Sequence, residues 1–257
     1  AFKRTAARGY KPYIPRGNVM NSEVFGKISS FQTLGTLDGP GVRFVVFMQG
    51  CPLRCACCHN PETWDINGGK SFSASEIFAK ITRYKEYFSQ NGGVTLSGGE
   101  PLVQPEFCTE IFKKCRQDGI HTCLDTSGFA LNEKIKTALE YTDYCMLDIK
   151  YTSDEDYKKY VGCEYSSPLA FLDYLDEKGI ATRLRQVIIK GLNDSEENIL
   201  RLKSIADSHK CVKEIELLPF RKLCASKYDK LNITFPLADF CETGAEDIEN
   251  LNKMLKN

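Results

Sequence analysis

From Val24 onward the chain alternates apolar runs of strand length with segments whose apolar residues recur at helical spacing. Val42 to Met48, Val94 to Ser97, Ile120 to Asp125, Tyr144 to Ile149, Arg183 to Ile189 and Glu214 to Leu218 read as six strands of one series, with Val24 to Ser29 as a shorter strand ahead of them. Helices are expected over Pro105 to Asp118, Glu133 to Tyr141, Asp154 to Tyr160, Pro168 to Glu177, Ser195 to Ser208 and Ala245 to Leu255. A further helix should start at Ser73, with Glu76 three residues on to complete a capping box and Ile77, Ile81, Tyr84 and Phe88 along one face. Strands that alternate with helices make βαβ units, a parallel sheet and right-handed crossovers. Six strands are too few for a closed eight-stranded barrel. The expected fold is therefore α/β: an open, partial (β/α)6 barrel of parallel strands, one domain over residues 23–257, with its functional residues at the carboxyl ends of the strands.

Directly after the run Val42 to Met48 comes Gly50-Cys51-Pro52-Leu53-Arg54-Cys55-Ala56-Cys57-Cys58-His59-Asn60. Cys51, Cys55 and Cys58 stand in C-x3-C-x2-C spacing, so three sulfurs share one loop at a strand's carboxyl end. Three such thiolates can hold three corners of a [4Fe–4S] cluster. The next cysteine is Cys108, so no fourth continues the pattern and one iron stays open to another ligand. A structural zinc site would instead want paired C-x2-C elements or downstream histidines, and none follows at a suitable distance. Chance clustering in a chain of 12 cysteines is the blander alternative. Cys57 would strain the loop as a ligand next to Cys55, which favours packing for it.

Composition narrows the partners. The 34 basic and 34 acidic residues balance, so no overall field favours nucleic acid or an anionic membrane. No apolar run approaches the length of a membrane-spanning helix. Residues 1–22 carry five basic residues and no acid, leaving 29 basic against 34 acidic in the remainder. That first stretch has Gly9, Pro12, Pro15 and Gly17 and little apolar periodicity, with a natural initiator at Met20. It reads as an unstructured extension; a targeting peptide would show an amphipathic pattern that is absent. Free cysteines without a signal peptide predict a reducing cytoplasm.

Ser97-Gly98-Gly99-Glu100-Pro101 follows the second strand of the series, where adjacent glycines let backbone carbonyls approach a ligand. Alone it is an ordinary strand-to-helix connection. Paired with the cysteine loop about 40 residues earlier, it resembles the radical S-adenosylmethionine (SAM) superfamily, whose open iron chelates SAM. Asp38-Gly39-Pro40-Gly41, Cys58-His59-Asn60, Thr63-Trp64-Asp65, Leu124-Asp125-Thr126 and Glu216-Leu217-Leu218-Pro219 narrow the resemblance to the glycyl-radical-enzyme activating enzymes.

The resemblance implies a cluster on Cys51, Cys55 and Cys58, and SAM against Cys57, His59, Gly98, Gly99, Glu100, Asp148, Ile149 and Lys150. It implies a monovalent cation on Asp125, Thr126, Asp148 and the Met146 carbonyl, and a contact from Asp38 to the backbone of an incoming peptide. Arg221 stands where relatives carry a SAM-contacting histidine. The implied reaction is reductive cleavage of SAM and abstraction of hydrogen from a backbone glycine of a partner such as pyruvate formate-lyase. A flavodoxin or ferredoxin would be the electron donor, in anaerobic metabolism, and the activase itself a monomer. Only 39 residues separate Cys58 from Gly98 and none is cysteine, so the ferredoxin-like insert of some activases is absent. The rival readings are a radical SAM enzyme acting on another peptide or a small molecule, and a non-catalytic iron–sulfur redox module.

Overall fold

The computed structural model describes residues 23–256, and the extension expected over residues 1–22 lies outside them. The strands are β1 (Phe25–Gly35), β2 (Arg43–Met48), β3 (Lys70–Ser73), β4 (Gly93–Gly98), β5 (His121–Thr126), β6 (Tyr144–Asp148), β7 (Ala181–Ile188) and β8 (Val212–Pro219). They form one sheet in the order β3-β1-β2-β4-β5-β6-β7-β8. β2, β4, β5, β6, β7 and β8 run parallel, as the alternation predicts. β1 is antiparallel to both β2 and β3, extending the sheet at one edge. The edges β3 and β8 do not meet, so the sheet stays open.

Eight helices join and flank the strands: α1 (Ala74–Thr82), α2 (Pro105–Gln117), α3 (Glu133–Leu139), α4 (Asp154–Tyr160), α5 (Ser166–Lys178), α6 (Glu196–Asp207), α7 (Ala225–Lys230) and α8 (Ala245–Lys256). The capping box read from the sequence starts α1. Ser73 Oγ accepts from the Glu76 amide at 3.1 Å, and Glu76 Oε2 accepts from the Ser73 amide at 2.7 Å. None of these helices is long and apolar enough to cross a membrane.

Period-2 alternation gives the sheet two different faces. One face carries Phe44, Val46, Leu96, Leu124, Leu147 and Leu184, packed with Ile77, Ile111, Phe112, Ile135, Phe171 and Leu202 of the helices into the main core. Cys108 and Cys115 lie in that core, as their spacing on one helix suggests. The other face presents Thr95, Cys123, Asp125, Met146, Asp148, Arg183 and Arg185, which the register sets side by side: Thr95 with Cys123, Asp125 with Met146, Asp148 with Arg185. A buried sheet face that carries charge must pair it internally, and Asp125, Asp148 and Arg185 do so with one another.

Arg43 fixes the amino-terminal end of that face. It is fully buried and has no carboxylate partner; Nε donates to Thr95 Oγ1 at 3.0 Å and Nη1 to the Pro40 carbonyl at 3.2 Å. Nη1 also meets His121 Nδ1 at 3.1 Å, which requires a neutral imidazole to accept there. Thr95 Oγ1 in turn donates to the Asp38 carbonyl at 2.6 Å. The loop Asp38-Gly39-Pro40-Gly41 is thus laced to the sheet. Gly41 has φ +66°, and a Cβ there would lie 2.7 Å from the Gly92 nitrogen, so only glycine allows this approach.

Candidate functional site

At the carboxyl ends of the parallel strands lies a cavity of about 280 Å³. Its walls include Cys51, Cys55, Cys57, Cys58 and His59 from the loop after β2, and Gly98, Gly99 and Glu100 from the end of β4. Asp125, Thr126 and Ser127 come from β5, Asp148 and Lys150 from β6, and Arg185 from β7. Residues from five separate strand ends therefore meet in one place.

The cysteine loop is held from outside by segments distant in sequence. The Ala56 amide donates to the Tyr160 carbonyl at 2.7 Å and the Arg54 amide to the Val161 carbonyl at 3.1 Å, so the end of α4 backs the loop. Arg54 also lays its guanidinium over Trp64, 4.9 Å from the ring centroid. From α7, Lys227 Nζ donates to the His59 carbonyl at 2.9 Å and to Glu62 at 2.6 Å, while Tyr228 Oη donates to the Cys58 carbonyl at 3.1 Å. Burial first of all raises the thiols of Cys51, Cys55 and Cys58, Cys51 to about 12. A metal that binds there must displace their protons.

The donor chemistry fits an iron–sulfur cluster. Three half-buried cysteines line one wall, yet among the described residues no three His, Cys, Asp or Glu side chains converge to hold a single metal ion. A zinc ion needs its ligands around one point. In a cubane each thiolate meets a different iron, so the sulfurs need not converge. The same cavity offers two cationic side chains, Lys150 and Arg185, to an anionic group such as the SAM carboxylate.

Gly98 ends β4 at φ +110°, and a Cβ there would stand 2.4 Å from the Met48 nitrogen. The turn after it is fixed by the Gly99 amide on the Met48 carbonyl at 3.0 Å and the Glu100 amide on the Gly50 carbonyl at 2.9 Å. The Glu100 carboxylate is engaged within the protein. It accepts from Thr126 Oγ1 at 2.7 Å, Ser127 Oγ at 2.6 Å, the Ser127 amide at 2.9 Å and the Leu102 amide at 3.1 Å. Burial raises its pKa and these four donors pull it back. Glu100 thereby ties the end of β4 to the end of β5.

Arg185 is the functional residue that the sequence reading lacks. Its guanidinium lies between the two carboxylates: Nε donates to Asp148 Oδ1 at 2.9 Å and Nη2 to Asp125 Oδ1, with Nη1 3.8 Å from Met146 Sδ. Three of the residues expected to hold a monovalent cation are thus spanned by one arginine. Lys150 Nζ adds a second cation on Asp148 Oδ2, and Ser97 Oγ donates to Asp125 Oδ2 at 2.7 Å. Burial opposes charge on Asp148, but Arg185 and Lys150 outweigh it and hold its pKa below the usual value. On Asp125 burial prevails and the pKa is raised, although Arg185 offsets part of it. The signal was present as charge at alternate positions in Arg183-Leu184-Arg185-Gln186, inside a segment of strand length.

Four expected residues do not line the cavity: Met146, Arg221, Ile149 and Asp38. Arg221 turns to the Thr243 carbonyl at 2.6 Å and lies 4.0 Å from Glu242, while its own carbonyl meets His59 Nε2 at 2.9 Å. Ile149 is fully buried, its amide on the Arg185 carbonyl at 2.9 Å and its carbonyl accepting from Gln186 Nε2 at 3.1 Å. Asp38 lies on the laced loop, where burial raises its pKa against the pull of Arg185 and Arg43.

Residues 45–202 match the Radical SAM superfamily. A pyruvate formate-lyase-activating enzyme of Clostridium pasteurianum is 43% identical over 234 residues, which cover 91% of this chain and 98% of that protein. The chain belongs to this radical SAM family of activating enzymes. The pyruvate formate-lyase 1-activating enzyme of Escherichia coli K12 is 37% identical, over 91% of this chain and 96% of the relative. Among solved structures, a domain of pyruvate-formate lyase-activating enzyme from Bacteroides vulgatus superposes with TM-score 0.54 at 25% identity, covering 64% of this chain and 93% of that one. Streptococcus suis SuiB bound to precursor peptide SuiA shares the fold alone, with TM-score 0.63 at 17% identity over 82% of this chain and 44% of that one. Family membership implies a [4Fe–4S] cluster, SAM and a glycyl radical enzyme as partner.

Proposed function

We propose that this chain is a glycyl-radical activase that reductively cleaves SAM at a [4Fe–4S] cluster and takes a hydrogen atom from a backbone glycine of a pyruvate formate-lyase-like enzyme. The observation that carries the reading is the 43% identity along 98% of the Clostridium relative. Cys51, Cys55 and Cys58 would hold the cluster, which would supply the one electron needed to cleave SAM to methionine and a 5′-deoxyadenosyl radical able to accept the hydrogen atom. In this reading Cys51, Cys55 and Cys58 ligate three irons and Cys57 only packs. Lys150 and Arg185 face the carboxylate of SAM, and the Gly98–Gly99 backbone faces its ammonium group, on a wall kept in place by Glu100. A monovalent cation on Asp125, Thr126, Asp148 and the Met146 carbonyl would have to take carboxylate oxygens from Arg185. Residues 23–257 act as one radical SAM domain, a monomer that works in an anaerobic cytoplasm and takes its electron from flavodoxin or ferredoxin.

The deciding experiment is isotopic. Partner enzyme deuterated at its glycines should pass deuterium into 5′-deoxyadenosine; SAM cleavage without that transfer would assign the chain another substrate. Asp38 is the proposed contact to the partner's glycine loop, because a carboxylate can accept backbone N–H groups whatever the side chains. Asp38→Asn should lower partner-dependent kcat/KM by about tenfold or more, as expected for a charge-assisted bond of about 1.5–3 kcal/mol. Slow, partner-free SAM cleavage should fall far less. Equal losses would put Asp38 in the SAM site or the fold.

A further inference from the structure

One buried side-chain polar atom among the described residues has no hydrogen-bond partner in the chain: the hydroxyl of Tyr151. Tyr151 is 1% exposed. A buried hydroxyl left unpaired destabilises a fold, and this protein pairs its other buried polar side chains. Tyr151 therefore has a donor to spare, and its surroundings say for what.

Tyr151 lies three residues beyond the end of β6 and packs in an apolar group with Leu53, Ala56 and Cys57, against which Cys51 and Cys55 also lie. Its ring centroid is 5.3 Å from that of Tyr160, the residue whose carbonyl holds the Ala56 amide. Tyr157 stands edge-on at 6.4 Å, its own hydroxyl occupied by the Lys150 amide at 2.9 Å. The Lys150 amide already takes one lone pair of the Tyr157 hydroxyl, and sulfurs of the cysteine loop, Cys51 and Cys55 among them, lie in the same group as the Tyr151 ring.

We propose that the Tyr151 hydroxyl donates a hydrogen bond to the Cys55 sulfur when that thiolate ligates the cluster, and so raises the cluster's reduction potential. The proposal rests on the cysteine ligand assignment given above. A donor to a ligating sulfur favours the state with more negative charge on sulfur, which is the reduced one, and such bonds are among the levers that set cluster potentials. Tyr151 would touch neither SAM nor the partner's glycine. It is a tuning residue that acts through Cys55.

The test is Tyr151→Phe, which keeps the ring and removes one oxygen. In metal-free protein the variant should melt at a higher temperature than the wild type, because an unpaired buried hydroxyl is gone. After anaerobic reconstitution both proteins should carry the same iron, and the midpoint potential followed by electron paramagnetic resonance should move negative in the variant. A tenfold change in the one-electron equilibrium would read as about 59 mV. An unchanged or more positive potential at equal iron content overturns the proposal. So does a metal-free variant that melts lower, since the hydroxyl would then already have had a partner. A failure of the underlying assignment looks different: if Cys55→Ala retains a full cluster, the assignment and the proposal fall together.

Discussion

Arg185→Met is expected to destabilise the protein by about 3–5 kcal/mol, the usual result of removing one partner from a buried ion pair. The side chain is 11% exposed, and its partners Asp125 and Asp148 are 14% and 18% exposed. Asp148 keeps Lys150, but Asp125 is left with a single neutral donor, Ser97 Oγ. The loss should depend on pH in a defined direction. Burial already raises the Asp125 pKa with Arg185 present, and removing the guanidinium raises it further. A carboxyl whose folded pKa exceeds its unfolded value binds its proton more tightly when folded, so it destabilises the fold as pH rises through that window. The gap between variant and wild type in urea unfolding should therefore shrink as pH falls from neutrality towards about 4, the usual carboxylate range. Adding Asp125→Asn to the variant should recover much of the loss at neutral pH. A variant within 1 kcal/mol of wild type, a difference small on the scale of marginal protein stability, would show that water already screens these carboxylates.

The same charged set shows where the sequence could be read and where it could not. The six parallel strands were legible because each is a run of strand length between helical segments, apolar throughout or at alternate positions, and the α1 cap because both partners sit in a four-residue motif. The carboxyl-end location of the site followed from the topology rather than from any one residue. β3 was not legible: Lys70–Ser73 has four residues, two of them exposed, and is a strand only because β1 extends far enough to pair with it. α7 was missed for a similar reason, since its six residues are largely polar and its role is tertiary. The sequence suggests that two acids at adjacent strand ends need a counter-charge. It does not tell that Arg185, some sixty residues from Asp125 along the chain, supplies it. Nor does it tell where Arg221 points, which Thr243 and Glu242 decide from a segment more than twenty residues later.

Single replacements of Cys51, Cys55 or Cys58 by alanine should each abolish cluster retention and SAM cleavage, while Cys57→Ala should keep both. All four cysteines line the cavity, so location alone does not separate them. Their environments do. Cys51, Cys55 and Cys58 are half-buried, whereas Cys57 is 8% exposed and belongs to the apolar group of Leu53, Ala56 and Tyr151. Replacing Cys57 by alanine removes one buried atom, which should cost on the order of 1 kcal/mol through the small void left behind. Removing a ligand takes away an iron–thiolate bond, and Cys57 could replace it only if the loop rebuilt. Iron content and the cluster's visible absorption, measured anaerobically on all four variants, would separate the two classes without reference to turnover. Loss of iron in Cys57→Ala with retention in Cys58→Ala would transfer the third ligand to Cys57, and the loop between Cys55 and Cys58 would then have to rebuild around the metal.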